Sequence, residues 1–108
     1  MIEILYENYS ICIGENAIEN DSLVKNSNDD DVWVHISDYP SAHGIIQNPS
    51  GKRVPKKIIK RVCCLIKSKN NRCKSMKDLQ FDICPIKNVT STNIPGRVTI
   101  KDPKLISI

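Results

Sequence analysis

Short apolar runs separated by polar turns recur along the chain, at lengths typical of β-strands. The first two, residues 2–6 and 9–13, flank the polar pair Glu7-Asn8, a spacing that predicts a hairpin. Later runs predict three more strands, of which the last two are joined at Asp102-Pro103, a pair typical of turns. These three runs cover residues 79–84, 97–100 and 104–108.

The middle of the chain contains a strictly alternating run at residues 32–37, and a further strand is expected to begin near His43. Alternation places Val32, Val34 and Ile36 on one face of the strand and the residues between them on the other. The second face carries Trp33 and His35, with His43 across from them on the neighbouring strand. Two interpretations remain open: a small stacking platform for unpaired bases, or a tryptophan that belongs to the core.

Two segments show helical periodicity instead. Residues 17–26 place apolar residues near one face, with acidic residues early and Lys25 late, the polarity that suits a short helix. Residues 55–67 predict the longer helix, because Pro55 occupies a favoured first position and apolar residues recur every three or four positions. Its apolar positions are Ile58, Ile59, Val62, Cys63, Leu65 and Ile66.

About seven short strands, one long basic amphipathic helix and one short helix predict an α+β fold with a mostly antiparallel sheet. The length of 108 residues fits one domain spanning residues 1–108, and a composition of 40% apolar and 26% charged residues is ordinary for a globular domain. No long apolar window and no signal-peptide pattern occur, so no membrane span is expected and we expect a cytoplasmic location.

Charge is distributed very unevenly between the two halves of the chain. Residues 1–51 contain nine acidic side chains and one basic, a net charge of −8, whereas residues 52–108 contain fifteen basic and three acidic, a net charge of +12. This asymmetry favours a positively charged face toward a polyanion. Mutual neutralisation of the two halves across the fold is the alternative.

The basic side chains concentrate on the polar face of the longer helix. No acidic residue lies along residues 56–69, so the row repels itself unless an anion binds there. An ordinary solvated face is the competing interpretation. The low aromatic content favours recognition of phosphates and RNA shape over broad base stacking.

Few residues suggest catalysis or metal binding. The five cysteines form no C-x-x-C pair, so zinc is not expected, and Cys63 and Cys64 fit better as small apolar fillers of the core. His35, Asp38 and His43 are the only residues that suggest an active site, and no nucleophile motif or glycine-rich phosphate loop accompanies them. We therefore expect a non-catalytic protein with no metal and no cofactor.

Several motifs carry a resemblance to a known family. The pattern Asp31-x-Trp33-x-His35, followed by Pro-Ser-Ala-His at residues 40–43, resembles the core of the NFACT-R domain. Residues 14–23 are similar to its opening motif, with Glu15 where the family usually has Arg. Residues 95–100 with 105–108 look like its closing P-G-x-V hairpin. The Pro-Ser-Ala-His turn is similar to that of the stand-alone coiled-coil relatives.

The resemblance implies an RNA-binding domain that works in translation or ribosome-associated quality control, with transfer or ribosomal RNA as the expected partner. DNA is the close alternative, since phosphate contacts discriminate poorly between the two. A further alternative is docking on a ribosomal or quality-control protein through the acidic half. The residues expected to bind RNA are Lys52, Arg53, Lys56, Lys57, Lys60, Arg61, Lys67, Arg72, Lys74, Trp33, His35, His43 and Arg97.

Overall fold

The computed structural model describes residues 1–108 and contains two α-helices, one 3₁₀ helix and eight strands. The helices are α1 (Ala17–Asn26) and α2 (Lys56–Lys69), and the 3₁₀ helix spans Ile86–Asn88. The α+β class is confirmed, with eight strands where about seven were expected. The strands are β1 (Ile2–Tyr6), β2 (Tyr9–Ile13), β3 (Val32–Ile36), β4 (Gly44–Ile46), β5 (Gln80–Pro85), β6 (Val89–Ser91), β7 (Val98–Ile100) and β8 (Lys104–Ser107).

Six strands form one sheet in the order β1-β2-β4-β3-β5-β8, and β6 pairs with β7 in a separate two-stranded sheet. Every pairing is antiparallel. The predicted first hairpin is confirmed, because Tyr6 pairs with Tyr9 around the turn at Glu7-Asn8. In the middle of the sheet, Val34 lies between Gly44 of β4 and Ile83 of β5.

The predicted closing hairpin is wrong. β7 pairs with β6, whereas β8 pairs with β5 at the edge of the larger sheet. The turn at Asp102-Pro103 therefore carries the chain from one sheet to the other. Apolar alternation identifies a strand but not its partner, and the short strand β6 and the 3₁₀ helix before it lack a strong pattern of their own.

One face of the six-stranded sheet packs against α2 and forms the larger core. The buried helix residues Ile58, Val62, Cys63 and Ile66 belong to the same apolar cluster as Val34 and its neighbours on that face. Gly44 permits this approach, because a Cβ at that position would lie 2.8 Å from Val62 Cγ1. Cys63 is buried as expected, but Cys64 is exposed, so the core-filler interpretation is wrong for that residue.

The opposite face is covered by α1 and the β6-β7 hairpin. Leu23 and Val24 of α1 pack in a smaller core with Trp33, Ile45 and Cys84 of the sheet. Consecutive residues of a strand point to opposite faces, so Trp33 belongs to this core while Val34 belongs to the larger one. Other elements therefore cover both faces of β3, and neither face is fully exposed.

Several of the motif residues hold the start of α1 against the sheet. The side chain of Asn16 caps the helix by accepting a hydrogen bond from the Glu19 amide. Asn20, which is buried, accepts a hydrogen bond of 3.1 Å from the amide of His43. The amide of Gly14 donates to the His43 carbonyl over 3.0 Å, and Gly14 has no room for a Cβ beside Asn20. Gly14, Asn16 and Asn20 of the opening motif thus have structural roles.

A second buried polar contact fixes the loop that leads into α2. Asp31 accepts hydrogen bonds from the amides of Asn28 and Asn48. The Asn48 side chain in turn donates to the carbonyl oxygens of Asp30 and Lys52, at 3.2 and 2.8 Å. This network connects the beginning of β3 to the residues immediately before α2, and so it positions the first basic residues of that helix.

Candidate functional site

The side of α2 that faces away from the sheet carries a row of cations. The helix contains six basic residues and no acidic one. All of them are exposed except Lys67, which is half-buried. We refer to this surface as the α2 basic face; its residues are Lys56, Lys57, Lys60, Arg61, Lys67 and Lys69.

Part of the α2 basic face already has contacts within the protein. Lys57 Nζ lies 3.0 Å from Glu7 Oε1 of the β1-β2 turn, and the hydrogen bond to that carboxylate raises the pKa of Lys57. The Arg61 guanidinium stacks over the Tyr6 ring at 5.4 Å, and Lys67 donates to the Ile108 carbonyl oxygen at 2.8 Å. Glu7 was missed by sequence reasoning, because it lies fifty positions from Lys57. The other three cations form no ion pair.

The N-terminus of α2 adds to the positive potential at one end of this face. Pro55 at the N-cap provides no side-chain hydrogen bond, and the first turn contains no acidic residue. A helix N-terminus carries a partial positive charge, which acidic or capping side chains normally offset. Here Lys52, Arg53 and Lys56 line the cleft beside this end of the helix, where basic side chains outnumber acidic ones.

A cleft of about 520 Å³ opens beside that helix end. Its walls include the basic residues Lys52, Arg53, Lys56 and Lys104, together with the acidic residues Asp30 and Asp102. Lys104 comes from β8, and its arrival at this point depends on the pairing of β8 with β5. Sequence reasoning did not select it, because no local pattern places residue 104 next to residue 53.

The thirteen residues expected to bind RNA fall into two groups on opposite faces of the sheet. The α2 side holds Lys52, Arg53 and the α2 basic face apart from Lys69, which was not among the thirteen. Arg72 and Lys74 are exposed in the turn after the helix. The Arg72 guanidinium lies 5.1 Å from the centre of the Tyr39 ring. The opposite side holds Trp33, His35, His43 and Arg97. The structure therefore separates the three rings from the basic residues of the α2 side, and Arg97 is the one basic residue of the thirteen that lies beside them.

The three rings on the opposite side contact one another closely. Trp33 and His35 are stacked with centroids 5.3 Å apart and an interplanar angle of 11°. His43 meets both rings edge-on, at 5.3 and 4.9 Å. Trp33 and His43 are only 2% and 3% exposed. Of the two interpretations of Trp33, the structure supports the core and not the stacking platform, because the indole is buried and His35 covers its face, which leaves no free surface for an unpaired base.

Burial keeps both histidines neutral. Desolvation lowers the pKa of His43 from 6.5 to about 4, with the neighbouring His35 acting in the same direction. The pKa of His35 is also lowered by burial, partly offset by the carboxylate of Asp82. Two neutral imidazoles add no charge to this side of the protein near pH 7.

A second cleft, of about 660 Å³, lies above these rings on the face opposite α2. It is bounded by the start of α1, the turn between β3 and β4, and the loop before β7. We call it the Trp33 cleft. The residues that matter for its chemistry are Glu15, Trp33, His35, Asp38, His43, Asp82 and Arg97, and apolar walls are provided by Tyr39, Ile94 and Pro95.

Two of the buried thiols, those of Cys63 and Cys84, lie in environments that disfavour ionisation. Burial raises the pKa of Cys63 to about 12 and that of Cys84 to about 11. All five cysteines are free, and no group of three or more His, Cys, Asp or Glu residues is arranged to hold a metal ion. Neither helix is long and apolar enough to cross a membrane.

Comparison with known proteins gives three findings. The family described as NFACT protein RNA binding domain matches residues 4–102. Coiled-coil domain-containing protein 25 from Mus musculus is 25% identical over 87 residues, which are 78% of this chain and 42% of that protein. The coiled-coil domain-containing protein 25 homolog from Dictyostelium discoideum is 31% identical over 78 residues, which are 69% of this chain and 37% of that protein.

A solved structure shares the fold. The C-terminal part of the fibronectin/fibrinogen-binding protein from Streptococcus suis superposes with a TM-score of 0.85 and 19% identity, and covers 98% of this chain and 43% of that chain. The chain thus spans less than half the length of each of these relatives.

Proposed function

The chain belongs to the NFACT protein RNA-binding domain family, and from this premise we propose that it binds structured RNA through the α2 basic face. Transfer RNA or ribosomal RNA is the proposed ligand, in connection with translation or ribosome-associated quality control. The domain is proposed to act in the cytoplasm and without catalysis. The observation that carries this proposal is a helix with six exposed or half-exposed cations and no acidic residue.

Two features of this surface support phosphate contacts. Lys56, Lys60 and Lys69 form no ion pair within the protein, so their charges are available to an external anion. The N-terminus of α2, which has no side-chain cap and lies beside Lys52 and Arg53, is a favourable position for one further phosphate. A row of cations along one helix supports binding to a nucleic-acid backbone, because affinity grows with each phosphate neutralised.

The mode of recognition is proposed to be shape and backbone contact. The chain has a single tryptophan, and its ring is buried on the other side of the sheet from α2. Base stacking requires exposed aromatic faces next to the cations. Structured RNA, which presents phosphates and 2′-hydroxyls in a fixed arrangement, fits a face made mainly of cations better than single-stranded RNA does.

DNA is the alternative ligand, since a face that contacts phosphates alone distinguishes RNA from DNA weakly. The discriminating measurement is fluorescence anisotropy with labelled transfer RNA, single-stranded RNA and a DNA duplex, each at two salt concentrations. We expect transfer RNA to bind most tightly and every affinity to fall with salt. Absence of binding to all three at low salt contradicts the proposal and favours docking on a protein.

A matched pair of variants localises the site. The variant Lys56→Ala/Lys60→Ala removes two cations from the α2 basic face, and Lys25→Ala/Lys87→Ala removes two exposed cations that lie near Asp21 and Asp30 instead. Both change the net charge equally. We expect the first to weaken RNA binding about tenfold or more and the second to change it less than about twofold. Equal effects contradict the assignment to α2.

A further inference from the structure

The cleft of about 520 Å³ beside the start of α2 brings together cations from three separate parts of the chain. Lys52 and Arg53 come from the loop before α2, and Lys56 comes from the first turn of the helix. Lys104 comes from β8. We call these four residues the cleft cations. All four side chains are exposed and none forms an ion pair, so they repel one another unless an anion lies between them.

Two carboxylates also line the cleft, but they do not neutralise it. Asp30 Oδ1 lies 3.9 Å from Nζ of Lys87, a cation outside the cleft, and Asp102 forms no ion pair. Four basic and two acidic side chains give the cleft a net charge of +2. A cleft lined mainly by one sign of charge concentrates ligands of the opposite sign, so this cleft favours an anion.

Both walls of the cleft have a backbone that is fixed by the fold. On one side the buried side chain of Asn48 donates a hydrogen bond of 2.8 Å to the Lys52 carbonyl oxygen. On the other side Lys104 pairs with Ile83 of β5, and Ile83 belongs to the core that packs against α2. Paired residues of neighbouring strands point to the same face, so the Lys104 side chain lies on the α2 side. A preorganised frame lowers the entropy cost of binding.

A lysine on an edge strand has a competing role, because it prevents pairing with the edge of another chain. β8 is an edge strand of the six-stranded sheet, so this role applies to Lys104. It does not apply to Lys52, Arg53 and Lys56, which lie outside the sheet. The convergence of cations from a loop, a helix and a strand on one cleft is explained by an anionic ligand and not by edge protection.

We propose that the cleft cations bind a phosphate group of RNA, which makes Lys104 of β8 an RNA-binding residue. This assignment rests on the proposed function, because the cleft shares Lys56 with the α2 basic face and continues that face around the start of the helix. The RNA-binding surface then includes an edge strand of the sheet as well as α2. A free phosphate compound has the same chemistry, and the experiments below separate the two sources.

Two lysines close together in the chain provide the first test, by fluorescence anisotropy with labelled transfer RNA. Lys104→Ala removes a cleft cation, and Lys101→Ala removes an exposed lysine that neither lines the cleft nor forms an ion pair. We expect Lys104→Ala to weaken binding about threefold to fivefold and to reduce the salt slope by about one. Lys101→Ala should change binding less than about 1.5-fold. Equal weakening, or none in Lys104→Ala, overturns the proposal.

A conservative variant separates charge from structure at the same position. Lys104→Arg keeps the cation and is expected to bind RNA like the wild type. Thermal melting and size-exclusion chromatography show whether Lys104→Ala stays folded and keeps the oligomeric state of the wild type. Self-association of Lys104→Ala with unchanged RNA affinity assigns Lys104 to edge protection and overturns the proposal.

The free carboxylate of the cleft provides a test of opposite sign that does not depend on Lys104 variants. Asp102→Asn removes this carboxylate, and Asp38→Asn removes an exposed carboxylate from the turn after β3, outside the cleft. Both positions have a left-handed backbone, with φ of 50° and 64°, which asparagine tolerates as readily as aspartate. We expect Asp102→Asn to tighten RNA binding about twofold and Asp38→Asn to leave it unchanged. Equal effects overturn the proposal.

Failure of this assignment is distinguishable from failure of the proposed function. RNA binding that is weakened in Lys56→Ala/Lys60→Ala but unchanged in Lys104→Ala supports the α2 basic face and overturns the role of Lys104. If the wild type does not bind RNA, the proposed function fails, and thermal melting with inorganic pyrophosphate then tests the cleft. A rise in the melting temperature of the wild type that Lys104→Ala lacks assigns the cleft to a free phosphate compound and overturns its assignment to RNA.

Discussion

The indole Nε1–H of Trp33 donates a hydrogen bond of 3.2 Å to Nδ1 of His43, and both side chains are almost fully buried. Trp33 lies in β3, and His43 immediately precedes β4, which pairs with β3 in the sheet. The bond satisfies the indole donor and determines which nitrogen of the imidazole is protonated. Trp33 of the Asp-x-Trp-x-His pattern and His43 of the Pro-Ser-Ala-His turn thus form one buried contact.

Loss of the His43 acceptor is expected to destabilise the protein. In His43→Ala the Trp33 N–H remains buried without a partner and a void is left, so we expect the free energy of unfolding to fall by about 2–4 kcal/mol. His43→Asn retains an acceptor near the position of Nδ1 and is expected to lose less. Urea denaturation followed by circular dichroism measures both, and equal losses contradict a role for the hydrogen bond.

Stability is expected to fall in mild acid because of His43. Its pKa is about 4 in the folded protein against 6.5 when unfolded, so the unfolded chain binds the extra proton first as the pH falls. The stabilising contribution is present above pH 6.5 and is lost progressively down to about pH 4, by up to about 3 kcal/mol. His35, whose pKa is also lowered, acts in the same direction. Thermal melting across this range measures the effect.

His43→Asn provides the control for the acid effect. Asparagine does not titrate, so the variant is expected to show a shallower fall in melting temperature between pH 6.5 and 4 than the wild type. Carboxylates such as Glu19, whose pKa is lowered by its hydrogen bond to the N-terminal amine, contribute equally in both proteins. Parallel curves for the two proteins contradict the assignment to His43.

The approach of α2 to the sheet is expected to depend on Gly44. A Cβ at this position would lie 2.8 Å from Val62 Cγ1 and 3.0 Å from Ile66 Cδ1. We expect Gly44→Ala to lower the free energy of unfolding by about 1–3 kcal/mol, because the packed helix must shift. In a double-mutant cycle with Val62→Ala the two losses should be less than additive. Additive losses contradict direct contact between the two sites.

The Asn48 side chain is expected to matter for both stability and RNA binding. It donates to the carbonyl oxygens of Asp30 and Lys52, so Asn48→Ala leaves two acceptors unsatisfied and frees the loop before α2. We expect a loss of about 1–3 kcal/mol in unfolding free energy and a severalfold weaker RNA affinity. Asn71→Ala, in an exposed turn, is the control and should change stability by less than about 0.5 kcal/mol.

The salt dependence of RNA affinity is expected to report the number of phosphates that the protein neutralises. About five phosphates on a duplex-like RNA give a slope of log affinity against log salt on the order of −4. Lys56→Ala/Lys60→Ala should reduce the magnitude of this slope by about one for each phosphate that the variant no longer neutralises. An unchanged slope with weaker binding would mean that the lysines act on folding, and thermal melting of the variant distinguishes this case.

Much of the secondary structure was predictable because it follows local periodicity. The first hairpin and the short helix at residues 17–26 occur where the pattern placed them, and the longer helix begins one residue later and ends two residues later than expected. The pairing of the strands was less predictable than their positions in the chain. The partners of β7 and β8 depend on where the chain crosses between two sheets, and no local signal at Asp102-Pro103 distinguishes a hairpin from a crossing.

The candidate sites were likewise only partly predictable from the sequence. The basic row on α2 was visible in the sequence, because cations and apolar residues alternate with helical period. The contact of this row with Glu7 and the position of Lys104 were not visible in the sequence, since both depend on residues that the sheet brings together from distant parts of the chain. The position of Trp33 on the face opposite α2 was not visible either, because alternation assigns Trp33 to one face of a strand but cannot say which face α2 covers.

The sequence by itself determined the elements, the charge asymmetry and the family motifs, because each is encoded by residues close together in the chain. Only the tertiary structure decided that the Trp33, His35 and His43 rings bury one another and that α2 lies on the other face of the sheet. The physical reason is that the side-chain alternation of a strand is local, whereas the burial of each face depends on packing between helices and strands far apart in the sequence.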